Sequence, residues 1–462
     1  MAESVKTEII IIGAGLTGLT MAFYLKKAGI DFRIIEKSGK TGGVVQTVSE
    51  QGFVYETGPN TGVVSHAEMT ELFEDLADKC SLETADPSAK RRLIWKRGMW
   101  HALPSGLWSA INTPLFSWYD KFRILGEPFR EKGNNPNESL AELVKRRLGK
   151  SYLDYAIDPF ISGIYAGDPN KLVTRYALPK LYQLEQEYGS FIKGAIKKAK
   201  LPKIERSKKA TKDVFSAKGG LSRLIDAMTE SIGSENILLN VQDTLVKPNE
   251  SGFQVQATTE KQLIILETSH LVTTCGSYAL SGLLPFLNEE EIVPFNELKY
   301  AAVTQVLLGF KTWKGMSLKA FGGLVPGKEN KNILGVLFTS SFFEGRAPKG
   351  GALLSVFMGG TKRPDIIGMN DEQIKSLLDN ELPRMLGDRT LSPDMIRICR
   401  YPKAIPQYGE STGKRYDMIE KLQQKYYGLI LAGNIRDGIG MADRVKQGRT
   451  IAEELIGKIQ SH

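Results

Sequence analysis

Apolar positions come in two rhythms along the chain, short unbroken runs and helical repeats. Residues 8–12 (EIIII) form a short apolar run, the pattern of a parallel strand buried on both faces. It leads into Gly13-Ala14-Gly15-Leu16-Thr17-Gly18, after which Leu19, Ala22, Phe23 and Leu25 recur at helical spacing up to Gly29. A second strand over 32–35 ends at Glu36. Residues 53–60 read as a strand and a glycine turn, and 428–433 again as a strand running into glycine. A last helix is predicted over 444–459. Between these ends the rhythm changes twice. Helices are predicted over 68–80 and 178–200, and Ser139 and Glu142 make a capping box before Leu140, Leu143, Val144 and Leu148. Strands are predicted over 303–310, 334–338 and 353–357, with glycine and proline turns between them.

The first strand, glycine turn and helix supply the context that a G-x-G-x-x-G pattern needs to be a dinucleotide fingerprint. Gly13 permits the tight turn, Gly15 lets the backbone approach a pyrophosphate, and Gly18 lets the helix pack on the sheet. Ala14, Leu16 and Thr17 open the helix, whose free N–H groups and dipole favour phosphate. Glu36 is placed to accept from ribose hydroxyls, with Lys37 beside it. The Gly42-Gly43 pair, with Val44, is the turn over which a flavoprotein-type cofactor lies. Gly58, Pro59, Asn60 and Thr61 form a second expected contact. Gly433, Asn434, Ile439, Gly440 and Met441, leading into the last helix, form a third. A nucleotide-binding sheet that opens and closes the chain implies that everything between is inserted into it.

Composition removes alternatives. Cys80, Cys275 and Cys399 stand alone, and His66, His101, His270 and His462 form no ligand pair, so neither disulfides nor zinc is expected. No run of about 18 apolar residues and no secretory signal is present, which suggests a cytoplasmic protein, soluble or peripherally attached to a membrane. The chain carries a net charge of +9, but nine basic residues between Lys193 and Lys212, opposed only by Glu205, account for nearly all of it. A nucleic-acid-binding surface is therefore not expected. The segment is either a solvated loop or an electrostatic foothold on anionic lipid.

Several phrases resemble the oxygen-dependent protoporphyrinogen oxidase family. They are ISGIYAGDP at 161–169, LPSGL at 103–107, Gly323-Leu324-Val-Pro326, Arg346-Ala-Pro348, VFMGG at 356–360 and Ile405-Pro-Gln-Tyr408. The stretch LEQEYGSFIKGA at 184–195 is similar to the plant members. The resemblance implies a flavin amine oxidase-type α/β fold. A Rossmann-like FAD-binding domain over 1–85, 213–285 and 425–462 would carry a β-rich substrate domain (86–112 and 286–424) and a helical membrane-associating domain (113–212). It implies non-covalent FAD, dioxygen as electron acceptor and six-electron oxidation of a porphyrinogen to the porphyrin, with hydrogen peroxide as by-product. By motif, Leu324, Leu337 and Phe357 would wall the substrate, the Gly167 carbonyl would face the macrocycle, and Arg92 would pair with a propionate. Plain core packing for the three apolar residues, and a solvated Lys90-Arg91-Arg92 cluster, are the alternatives. A ferrochelatase receiving the product and a homodimer are compatible partners.

The chain departs from the family pattern at three places. Asp243 stands where members carry an apolar residue on the adenine-side strand, expected over 238–246, so its contact would run through backbone. Gly413-Lys414 replaces a Gly-His pair, and Trp108 follows Leu107 where some members have arginine. A coproporphyrinogen III oxidase is the nearest rival; two extra propionates call for more cations, and only Lys90, Arg91, Arg92 and Arg346 are candidates. An amine oxidase or desaturase is more remote, because residues 302–310 lack the lysine that amine oxidases place near the flavin. Cys399 is the one candidate for a covalent flavin. A non-catalytic flavin-binding scaffold is the reading from another class.

Overall fold

The computed structural model describes residues 4–202, 205–260, 262–388 and 390–461. Lys203 of the basic run and His462 lie outside them. β1 (Ser4–Ile12), α1 (Leu16–Lys27) and β2 (Phe32–Ile35) form the opening unit. β1 pairs in parallel with β2 on one side and with the Leu263–Thr273 strand on the other. Ile237–Leu238 extends the sheet beyond β2, and Leu429–Leu431 lies parallel beyond the 263–273 strand. An antiparallel hairpin, Asp243–Asn249 with Gly252–Thr258, completes this seven-stranded sheet. The unbroken run in β1 follows from burial on both faces. Ile9 and Ile11 pack with α1 and the C-terminal helix Met441–Gln460, whereas Ile10 and Ile12 pack with Phe253, Leu271 and Phe295.

A second seven-stranded sheet runs in the order Met395–Pro406, Tyr300–Phe310, Ala352–Gly359, Ile333–Leu337, Gly322–Leu324, Arg92–Lys96, Met99–Ala102. One face, with Val306, Leu308, Val336 and Val356, closes on Ile374, Leu378 and Leu382 of the Asp371–Leu386 helix. Helices Trp118–Leu125, Leu140–Arg147, Asp158–Tyr165, Pro179–Tyr188 and Phe191–Lys200 make up a third region. Its centre is a fully buried ion pair between Arg147 and Glu127; Glu127 also accepts from Ser190 Oγ (2.5 Å) and Phe191 N (3.0 Å).

Element boundaries differ from the pattern-based expectation where a local break intervenes. The helix expected over 178–200 is two, because Gly189 turns left-handed (φ 68°) and Ser190 restarts the helix by capping Lys193 N at 3.1 Å. The helix expected over 68–80 ends at Asp75. The capping box at Ser139 forms as expected, with Glu142 N to Ser139 Oγ at 3.2 Å and Ser139 N to Glu142 Oε2 at 3.0 Å. Within 286–424, the Glu289–Asn296 and Thr412–Lys425 helices pack on the first sheet rather than the second. Phe295, Ile419 and Leu422 are buried with Ile10 and Leu271.

Candidate active site

The three glycines of the first turn are needed for different reasons. A β-carbon on Gly18 would stand 2.1 Å from Gly13 O and 3.3 Å from Ile11 Cγ2, so its absence brings α1 onto β1. Gly13 has φ +108°, and a β-carbon there would meet Thr274 Oγ1 at 2.6 Å. At Gly15 a β-carbon would meet nothing within 4 Å, so no protein atom requires glycine there. Gly15 precedes α1 without any side-chain cap, and Leu16, Thr17 and Gly18 form its first turn. This open face above uncapped N–H groups is a cradle for phosphate.

The neighbouring loops close around the same place. Gly42 N donates to Ala14 O at 2.8 Å, and a β-carbon on Gly43 would lie 3.6 Å from Gly15 Cα. Gly58 (φ +140°) approaches so tightly that its β-carbon would stand 2.0 Å from Val44 O. Pro59 and Thr61 are half-buried, Val44 and Lys37 are exposed, and Asn60 is buried with its Oδ1 lacking any partner. Glu36 binds its own chain: Oε2 accepts from Ala14 N and Oε1 from Ser38 N, both at 2.8 Å. The carboxylate expected on a ribose therefore latches the turn, while its remaining lone pairs stay available. Asp243 is exposed at the start of the hairpin and pairs with Thr258. The backbone that meets Glu36 belongs to Leu238 (O accepting from Glu36 N at 2.8 Å) and Val241 (N donating to Glu36 O at 3.1 Å).

At the same sheet edge, the strand ending at Leu431 delivers Gly433, where φ is +86° and a β-carbon would meet Thr274 O at 2.5 Å. Gly433 N donates to Gln447 Oε1 at 2.9 Å, and Thr17 Oγ1 reaches the same oxygen at 3.5 Å, joining the two loops. Asn434 Oδ1 accepts from Tyr300 OH at 3.4 Å. Ile439 packs against the helical region, Gly440 is exposed, and Met441 is buried at the start of the last helix.

The second sheet faces this cleft with the side opposite its own core, and register decides which residues it presents. Ile94, Leu324, Gly335, Phe357, Gln305 and Cys399 are successive cross-strand partners. Two residues along each strand, Arg92, Gly322, Leu337, Ser355, Leu307 and Arg397 form the adjacent row. A spacing of two keeps both rows on one face. Arg92, Leu324, Leu337 and Phe357, contributed by four strands, thus share it; the three apolar side chains are half-buried and Arg92 is exposed at its margin. Gln305, fully buried, ties this face to the first loops. It accepts from Gly58 N at 3.2 Å and donates to Glu56 O at 3.0 Å. Opposite lies the Asp158–Tyr165 helix, where Leu324 Cδ2 sits 2.6 Å from the place of a β-carbon on Gly163. Ala166, with φ 46°, and the buried Gly167 end that helix beside Phe357 and Val303.

Residues 16–456 match the family described as flavin containing amine oxidoreductase. The chain belongs to this family. It is a flavin-dependent oxidoreductase, and the cradle at Gly15, the uncapped α1 and the orphaned Asn60 oxygen fit a bound flavin dinucleotide. The chain is 29% identical to the mitochondrial protoporphyrinogen oxidase of Nicotiana tabacum, over 98% of this chain and 95% of that protein. The chloroplastic enzyme of the same plant is 30% identical over 97% and 85%. Coproporphyrinogen III oxidase of Bacillus subtilis is 24% identical over 98% of both chains. Among solved structures, a protein from Exiguobacterium sp. 255-15 described as a protoporphyrinogen oxidase superposes with a TM-score of 0.81 at 23% identity, covering 99% of this chain and 100% of that one. Putrescine oxidase (a triple mutant) superposes at 0.72 and 16% identity, with 99% and 100% coverage, so the flavin amine oxidase-type fold is shared widely.

Other expectations for this oxidoreductase change in the folded chain. Arg346, a candidate for substrate carboxylates, is buried against Glu56 (Nη1 to Oε1, 3.0 Å) and Ser216 Oγ (2.9 Å), and so is withdrawn from the cleft. Cys399 is half-buried, and burial pushes its thiol up, which disfavours a thiolate. Burial also pushes Cys275 up, to about 12. His66, read as a scattered histidine, joins Asp443 (Nε2 to Oδ1, 2.9 Å) and links the Ala67–Asp75 helix to the C-terminal one. Burial opposes ionisation of Asp443, yet the bonds from His66 and Gly440 N prevail and hold its carboxyl below the usual range.

The basic segment divides in two. Arg206 pairs with Glu68 and Glu71, and Lys209 with Glu74, strapping residues 205–209 onto the acidic face of the Ala67–Asp75 helix. Lys193, Lys197 and Lys200 belong instead to the 191–200 helix, and Trp118, Phe122, Leu125 and Phe129 are exposed on the same helical region. Lys193 Nζ stands 5.7 Å from the Phe129 ring centroid. Among the described residues no helix is long and apolar enough to cross a membrane.

Residues that sequence reasoning passed over include Gln305, Val241, Arg415 and Arg444. Arg444 carried a legible signal, since it falls with Met441, Val445 and Gly448 on the buried stripe of the last helix.

Proposed function

We propose that this chain is an oxygen-dependent protoporphyrinogen oxidase. The observation that carries the reading is the shared sheet face of Leu324, Leu337 and Phe357 with Arg92 at its margin. Such a face suits a flat apolar ring whose few carboxylates stay at the edge. The chain's own residues have three tasks: to hold the macrocycle against that wall, to limit water through the Gly163–Gly167 helix end opposite, and to anchor a propionate at Arg92. Gly15, Gly43 and the first turn of α1 would hold the flavin pyrophosphate, with Asn60, Val44 and the 433–441 loop along the rest of the cofactor. A bound flavin would supply two-electron redox chemistry between porphyrinogen and dioxygen, so the six-electron oxidation would need three dioxygen molecules and yield three of hydrogen peroxide.

Burial of Arg346 in an ion pair with Glu56 favours protoporphyrinogen over coproporphyrinogen, because a tetracarboxylate then has fewer cations to meet. The absence of lysine from the Tyr300–Phe310 strand speaks against an amine substrate. The same reading has the enzyme work in the cytoplasm at an anionic membrane surface, alone or as a homodimer, and release porphyrin to a ferrochelatase. The membrane contact is carried by Lys193, Lys197 and Lys200 with the aromatic residues around Trp118 and Phe129, and not by the strap.

Anaerobic mixing of the holoprotein with each porphyrinogen tests the activity. Protoporphyrinogen should bleach the flavin faster than coproporphyrinogen, and porphyrin fluorescence should follow once dioxygen is admitted. Bleaching no faster than in buffer rejects the oxidase reading, and a preference for coproporphyrinogen reverses the substrate. Glutamate at 193, 197 and 200 should abolish flotation with phosphatidylserine vesicles, at on the order of 1 kcal/mol per charge. Arg206→Glu should leave flotation unchanged.

A further inference from the structure

Six consecutive backbone carbonyls, from Gly433 to Gly438, each lie within hydrogen-bond reach of a buried side chain, and three residues supply all the donors. Arg444 donates to Gly433 O, to Arg436 O at 2.8 Å and to Asp437 O at 2.9 Å. The Tyr408 hydroxyl serves Asn434 O at 3.0 Å and Gly438 O at 2.9 Å. Arg415 Nε donates to Ile435 O at 2.9 Å. Tyr408 and Arg415 are wholly buried and Arg444 is 8% exposed.

A planar trans peptide sets each carbonyl opposite the next residue's N–H. With the 433–438 carbonyls turned toward the arginines and the tyrosine, the N–H groups of 434–439 turn the other way. Two are set apart: the Arg436 N–H also bends back to Gly433 O at 3.5 Å, and the Asp437 N–H is engaged by the Tyr416 hydroxyl. Such a row of N–H dipoles receives electron-rich atoms. It sits at the sheet edge that also carries the β1–α1 turn.

The charge behind this row is balanced only in part: Asp443 and Asp437 act on Arg444, whereas the groups that act most on Arg415 are tyrosines. Among the described residues neither Arg415 nor Arg444 forms an ion pair with a carboxylate, and one nitrogen of each guanidinium lacks a hydrogen-bond partner. Around Arg415 stand the rings of Tyr408 and Tyr416, both 5.7 Å from the guanidinium carbon. Burial pulls the Arg415 guanidinium below the usual arginine range, the direction expected of a cation short of partners. A buried guanidinium without a counter-ion is costly unless something electron-rich lies within its field.

We infer that Arg415, acting with Arg444 through the 433–438 carbonyls, is a positioning residue that aims the N–H row at the bound flavin and raises the flavin's reduction potential. Reduction adds two electrons to the flavin, and positive charge behind the row favours the form that has gained them. The inference rests on the family's flavin, not on the identity of the porphyrinogen.

The test is the midpoint potential of bound flavin in the wild-type, Arg415→Met and Arg415→Lys holoproteins, with flavin content and thermal unfolding measured alongside. Arg415→Met should lose at least tenfold in its preference for reduced over oxidised flavin, a fall of about 30 mV for a two-electron couple. Arg415→Lys, which keeps the charge, should recover most of that fall. An unchanged potential in a folded, flavin-bearing Arg415→Met protein overturns the inference. So does a fall in Arg415→Lys as large as in Arg415→Met. If Arg415→Met does not fold, Arg415→Lys decides alone, because a tenfold loss with the charge retained contradicts the inference and a near-wild-type potential supports it. Wild-type protein that purifies without flavin would instead count against the flavin reading itself.

Discussion

The two loops at the cofactor edge of the first sheet hold their backbones by opposite means. The 13–18 turn is shaped by missing side chains: the bare Gly18 lets α1 settle within 2.1 Å, β-carbon position to carbonyl oxygen, of Gly13 O. The 433–438 loop is shaped by side chains that arrive from elsewhere, with Tyr408, Arg415 and Arg444 taking its carbonyls in order. A glycine turn needs only its own residues and the adjacent strand. The second loop depends on a helix that begins at Thr412, a strand that ends at Pro406 and the helix that follows it. One device uses the absence of side chains, and the other assembles from elements 7 to 30 residues away along the chain.

Substitutions can separate the two devices. Gly18→Val should be the most damaging to the fold, since the new side chain meets backbone rather than a flexible tip, at a cost of about 3 kcal/mol. Thermal unfolding should show it with or without added FAD. Tyr408→Phe removes the one hydroxyl that two loop carbonyls share and should cost about 2 kcal/mol, with weaker flavin retention read by the flavin-to-protein absorbance ratio. A stability equal to wild type would mean that the loop holds itself. Gly15→Val should cost only about 1 kcal/mol, the penalty of a poor cap, yet purify colourless because its side chain fills the cradle. Retained stoichiometric FAD there would displace the pyrophosphate from this turn.

The smallest effect is conditional on pH. The carboxyl of Asp443 titrates lower in the folded chain than in the unfolded one, so its contribution is complete above the unfolded value of about 3.9. It is lost as pH falls through the lower, folded value, and nothing is expected at neutral pH. Acid unfolding followed by circular dichroism should show this increment in wild type and not in Asp443→Asn. The same increment in both proteins would assign it elsewhere.

Much of the first device could be read directly from the chain. The apolar run, the three glycines and Glu36 lie within about thirty residues, and their spacing alone predicts strand, turn, helix and strand. Even there, the division of labour among the glycines was visible only in space. The candidate wall was named through phrases shared with a family, but its being one face rests on register across strands from 92 to 359. Arg346 shows the converse error. As a basic residue in a shared phrase it suggested a carboxylate partner, and its buried pairing with Glu56, 290 residues away, was invisible in the pattern. Where a continuous strand was expected over 238–246, residues 239–242 leave the strand and Asp243 begins the next one.

The charge distribution divides along the same line. That the basic residues cluster between 193 and 212 is a property of the sequence. That Arg206 and Lys209 face Glu68, Glu71 and Glu74 while Lys193 stands over the exposed Phe129 ring is a property of the fold. By itself the sequence determined the nucleotide-binding unit, the order of sheet and helical regions and the places where glycine is indispensable. Those features arise from interactions between neighbours, whose rules act over a turn or a strand. Tertiary structure alone decided which cations stay available, which residues share the substrate face, and how the last loop is held. Each of these depends on partners from other elements of the chain, 7 to 30 residues away for the last loop and 135 for the basic strap, and burial is what gives such pairings their strength.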